Sequence, residues 1–126
     1  MQPYDIAALA LRLMVAAEFM PSGVAALRDP AGRAKLNGVS TPFMVFIGVA
    51  EIAGSLGLIA GVLARLAALG LIAIMAGAIY KKIFVWHIGF WGTNNLGWHY
   101  ELMLVTINFA IAVAGPGQLS LLPAVF

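Results

Sequence analysis

Cysteine is absent from this chain of 126 residues. That excludes thiol–disulfide exchange, thiolate metal sites and structural disulfides within it, and leaves the compartment open. Charge is scarce as well: seven Lys and Arg and five Asp and Glu amount to 10% of the residues, with a net charge of +2. So sparse a charge set leaves no electrostatic footprint for nucleic acid, and no nucleic-acid partner is expected. There is no glycine-rich dinucleotide fingerprint, P-loop, HExxH spacing or nucleophile–base arrangement. No metal site is expected either. His87 and His99 lie twelve residues apart across a loop, and His99 and Glu101, two apart, fall on different helix faces.

What the chain has in quantity is apolar surface. It is 63% hydrophobic, with a mean hydropathy of +0.99. A soluble domain of this size leaves too large a fraction of its surface exposed to hide so much of it. The expectation is an all-α integral membrane four-helix bundle, a single domain over residues 1–126 whose first partner is the lipid bilayer.

The central stretch runs from Pro42 to Tyr80. Residues 42–62 contain one ionisable group, Glu51, and ~20 helical residues cover roughly 30 Å of hydrocarbon. A turn around Gly61 and Arg65 leads into a second apolar run that reaches spanning length by continuing through Lys81 and Lys82, whose stems snorkel. Ala50, Gly54, Gly57 and Gly61 share one helical face, which predicts a close antiparallel pair. Before them, residues 6–24 read as a first span; they lack the basic start and unbroken apolar run of a signal peptide. Residues 28–41 read as a polar loop with Pro30, Gly32, Asn37 and Gly38 as breakers. Thr93-Asn94-Asn95 marks a second loop inside an aromatic belt, and a fourth span covers 98–114. The predicted spans are thus 6–24, 42–62, 66–85 and 98–114. Arg28, Arg33, Lys35, Lys81 and Lys82 flank loops 28–41 and 86–97, against Arg65 and Arg12 on the other side. The positive-inside rule puts those loops in the cytoplasm and both termini outside a multi-pass inner (plasma) membrane protein.

Ionisable groups inside the spans are the candidates for chemistry: Glu18, Glu51 and Glu101, with His99 at the interface and Arg12 as a structural counter-ion. A charge at the bilayer centre costs about 2.5–3.5 kcal/mol on the insertion scale, so such groups face the bundle and find partners. From the outer end Arg12 is ~9 Å deep and Glu51 ~15–17 Å deep, a gap a guanidinium bridges if the first two spans are neighbours. A hydroxyl such as Ser55, one turn on, is the other partner open to Glu51. Glu18, Glu101 and His99 gather in the opposite half. Two carboxylates there repel as anions, so one keeps its proton near neutral pH unless a lysine or protonated histidine approaches. Such a group beside an aromatic rim suits a quinone head; hydrated helix ends are the plainer alternative.

Three groups of residues carry a family resemblance. They are Leu11-Arg12-Leu13 with Phe19 and Gly23; Glu51, Gly54 and Gly57 running into Gly61 and Ala64-Arg65-Leu66-Ala67-Ala68; and Glu101 with Gly115-Pro116-Gly117 and Ser120. In this order the sequence resembles the DoxX family of small four-helix membrane proteins. It departs from that pattern in lacking a lysine soon after Gly23 and in carrying Leu122 where an aspartate is common. The resemblance implies a four-helix bundle associated with membrane oxidoreductase systems, one branch resembling subunits of a thiosulfate:quinone oxidoreductase. Three roles remain open at this level. One is a small subunit or accessory of a quinone-linked redox complex, with quinone as the cofactor and other subunits as partners. The others are a carrier of a small apolar or weakly acidic ligand, with Glu51 as its midplane group, and a structural subunit of a larger assembly.

Overall fold

A computed structural model describes residues 2–92 and 96–117. Thr93-Asn94-Asn95, Ser120 and Leu122 lie outside the described residues. The described chain is helical: α1 Pro3–Arg28, α2 Pro30–Asn37, α3 Thr41–Ala60, α4 Ala64–Tyr80 and α5 His99–Ala114, with Lys81–Val85 extending α4 as a π-helical turn. It is an all-α membrane helical bundle. Three helices, Pro3–Arg28, Thr41–Ala60 and Ala64–Val85, are long and apolar enough to cross a membrane, whereas His99–Ala114 is shorter, at 16 residues.

Local signals explain the boundaries. Pro3 occupies the first turn of α1, and the Asp5 carboxylate accepts the Gln2 N–H at 2.7 Å. The Ser40 hydroxyl accepts the Phe43 N–H at the start of α3, a cap that satisfies a donor with no intrahelical partner. α3 stops at Gly61, whose φ of 75° suits a residue without a Cβ.

The segment 28–41 is not the loop its breakers predict. Asp29 caps α2 by accepting the Gly32 N–H at 3.1 Å, Pro30 takes the first helical position, and Gly38 closes the helix at φ 67°. The residues that read as breakers are the start and stop signals of a two-turn helix. Ala34 on that helix packs with Ala26 and Met44 in a small second core.

The main core joins four helices through Val15, Phe19, Leu58, Ala68, Leu71, Leu104 and Ile111. α1 pairs chiefly with α3 and α4 with α5, with lighter contacts from α3 to α4 and from α5 back to α1. The close backbone approach expected between α3 and α4 falls instead between α1 and α3. A Cβ on Gly23 would lie 2.9 Å from the Gly48 carbonyl oxygen and 2.7 Å from Ile52. Gly54 meets the Leu71 side chain at an ordinary 3.4 Å, and Gly57 faces the Val62 carbonyl of the turn itself. Leucine side chains on α4 fill the space that the small residues of α3 leave.

Candidate ligand-binding cavity

The register of α1 against α3 decides where the buried charges go. Gly23 packs on Gly48 and Glu51, while Arg12 meets Leu58. Leu58 is two turns, ~10 Å, beyond Glu51 along the helix, so the structure does not bring Arg12 to Glu51. Arg12, fully buried, donates from Nη1 to the Leu58 carbonyl at 2.9 Å. That carbonyl belongs to the last turn of α3, where backbone acceptors lack intrahelical donors and a cation is favoured by the helix dipole. Ser55 does not bind the Glu51 carboxylate either; its hydroxyl donates to the Glu51 backbone oxygen at 2.7 Å. At the same end of the bundle the Tyr4 hydroxyl donates to the Gly115 carbonyl, and the Arg65 guanidinium lies against Gly115 so closely that a Cβ there would be 2.8 Å from Nη2.

Glu51 faces the other end, where a cavity of about 480 Å³ lies between the halves of α1, α3, α4 and α5 that carry the long connections. Its apolar walls include Phe19, Met44, Ile47, Ile74 and Leu104, and its polar lining comprises Glu18, Ser22, Arg33, Asn37, Glu51, Lys81, Lys82, Tyr100 and Glu101. All three carboxylates expected to matter therefore share one space, although each comes from a different stretch of helix. Glu18 stands exposed at the rim and accepts the Tyr100 hydroxyl. Glu101 is buried and paired with Lys82 at 2.7 Å. Lys82 also donates to the Leu96 carbonyl at 2.8 Å. It sits in the π-helical turn, a wider winding that recurs at functional sites. Glu51, 5% exposed, has Ser22 and Arg33 as its polar neighbours, and Arg33 reaches the Ser22 hydroxyl at 3.4 Å. One oxygen each of Glu51 and Glu101 is buried without a hydrogen-bond partner among the described residues.

His99 is not part of this lining. Its Nδ1 lies 2.8 Å from the Phe90 carbonyl, and Phe90 and Trp91 pack against its ring. The histidine packs with Phe90 and Trp91 rather than facing the cavity. His87 is exposed, at φ 52°. No group of three His, Cys, Asp or Glu residues among those described could hold a metal ion.

The sequence pattern alone does not single out Arg33, Ser22 or Tyr100. Tyr100 reads as one more belt aromatic, and Arg33 and Ser22 come together only because α2 folds back over the end of α1. The family model for DoxX matches residues 7–87. The chain belongs to the DoxX family. The matched DoxX segment runs from α1 into the connection after α4 and includes Arg12, Glu18, Glu51 and Lys82. Glu101, His99 and Gly115-Pro116-Gly117 lie beyond it. Neither the curated proteins nor the solved structures give a match to the chain.

Proposed function

We propose that this DoxX protein is a small subunit or accessory of a quinone-linked membrane redox complex, and that its cavity takes the quinone head. The observation that carries this reading is the Glu51 carboxylate, buried with an unbonded oxygen in a cavity that combines apolar walls with a set of polar side chains. Small-molecule sites have this make-up, a largely apolar space of ~300–1,000 Å³ with a few convergent polar groups. An acceptor left unbonded in such a place costs roughly 1–3 kcal/mol until a donor arrives. The charges of the lining also cancel, with Glu18, Glu51 and Glu101 set against Arg33, Lys81 and Lys82. A neutral head with both donor and acceptor positions suits it better than an anion.

A bound quinone would supply the capacity to take up two electrons and two protons. The chain's own groups bind and orient it: Glu51 accepts a hydroxyl of the reduced head, and the Tyr100–Glu18 and Lys82–Glu101 pairs offer donors at the opposite wall. Electrons come from a partner subunit. Transport through the bundle is disfavoured by the packing, since Val15, Leu58, Ala68 and Ile111, each at most 1% exposed, fill the interior between the cavity and the Arg12 end. Orientation belongs to the same proposal, with the cavity end cytoplasmic and both termini outside. A reporter fused after Phe126 should be active only outside the cytoplasm, and cytoplasmic activity would reverse the assignment.

Trp86 lines the cavity and provides the test. A chainless benzoquinone should quench the fluorescence of the purified protein saturably, and Trp86→Phe should remove that saturable part. Linear, purely collisional quenching would defeat the head-group reading. Purification without any redox partner from the native membrane would count against the accessory role.

A further inference from the structure

Along the outward side of α3 and α4 runs an apolar groove of about 780 Å³. Phe46, Ala73 and Ile74 line both this groove and the cavity, so the two adjoin along a common wall. The groove is open at Gly70, where an added Cβ would meet nothing within 4 Å. From Phe46 to Gly57 the groove follows α3 for ~16 Å, enough for an extended decyl chain.

We infer that the ligand is a long-chain amphiphile with a neutral head, its head in the cavity beside Glu51 and its chain lying in this groove, having entered sideways from the bilayer. The inference rests on the cavity being a ligand site, and adds to it the chain and the path. Two independent features point to the occupant: a buried, unbonded carboxylate oxygen in the cavity, and a trough lined by apolar residues on the other side of the shared Phe46, Ala73 and Ile74 wall. The cancelling charges of the cavity argue for a neutral head rather than a phosphate. Lipid tails are as apolar as the groove, so the chain gains no hydrophobic free energy over the bilayer. Its gain is van der Waals contact and a fixed direction of approach.

The test uses the full chain in phosphatidylcholine nanodiscs, with affinities expressed as membrane mole fraction for a dimethoxy-methyl-hydroquinone, kept reduced, with no chain and with a decyl chain. The decyl compound should bind about fivefold tighter, the order expected from added packing contacts. Gly70→Leu, which fills the groove at a position with free space, should bring the decyl compound to the chainless level and leave the chainless compound unchanged. Ala53→Leu, an exposed position on the same groove, should do the same. If both variants bind the two compounds as wild type does, or lose both equally, the groove assignment is overturned while the cavity reading stands on the wild-type binding. If wild type binds neither compound, the cavity reading fails and the groove assignment with it. Phosphatidylglycerol displacing the decyl compound with equal affinity would overturn the neutral head. A dimer dispersed by Gly70→Leu would give the groove to a second copy of the chain instead.

Discussion

The two ends of the bundle bury charge in opposite ways. At the end carrying the short α3–α4 turn, Arg12 is wholly buried and spends its guanidinium on a helix-end carbonyl, with the core closed around it. At the other end three carboxylates surround open space, and Glu51 keeps an oxygen unbonded. Charges of equal rarity in the sequence thus serve different purposes. A buried ion that meets a backbone acceptor in packed surroundings is suited to hold the fold, while one that meets a cavity is suited to the ligand proposed above.

The largest expected effect tests whether the cavity end is also held by charge. Lys82→Met leaves Glu101 buried without its cation, and breaking such a pair costs about 3–5 kcal/mol. The melting temperature in detergent should fall steeply, and Lys82→Met combined with Glu101→Leu should recover most of it. A single variant as stable as wild type would show that the pair is solvated and the cavity end loose. Arg12→Leu comes next. It leaves the Leu58 carbonyl buried and unbonded, a loss of about 1–3 kcal/mol, whereas exposed Arg28→Leu should stay within roughly 0.5 kcal/mol. Quinone binding should be untouched by Arg12→Leu. Equal melting temperatures for the Arg12 and Arg28 variants, or a loss of binding in the first, would erase the contrast between the ends.

Much of this contrast was legible in the residues, and the rest was not for identifiable reasons. Long apolar runs reveal helices because the bilayer demands that backbone groups bond internally, and ionisable residues within those runs stand out because they are costly there. Glu18, Glu51 and Glu101 could be named on that ground. Which buried group meets which could not, because helix register depends on the fit of Gly23 against Gly48, and depth counted along each helix does not show it. Arg12 found a backbone carbonyl, an acceptor that every residue carries and no sequence pattern marks. The residues around Asp29-Pro30 and Asn37-Gly38 mark a loop and a short helix with the same letters. His99 was drawn aside by the Phe90 carbonyl, a local bond that its neighbour Glu101 does not share.

The smallest effect on stability is expected at the residue most central to the account. Glu51→Gln keeps the shape of the side chain and one acceptor oxygen that can face Ser22, and one of the two carboxylate oxygens has no hydrogen-bond partner among the described residues. The melting temperature should stay within about 1 kcal/mol equivalent of wild type. The dissociation constant of the chainless hydroquinone, read by its displacement of the benzoquinone that quenches Trp86, should rise about tenfold, as expected when a hydrogen bond to a charged acceptor is lost. An unchanged dissociation constant in a folded Glu51→Gln protein would contradict the claim that this end of the bundle is built for a ligand.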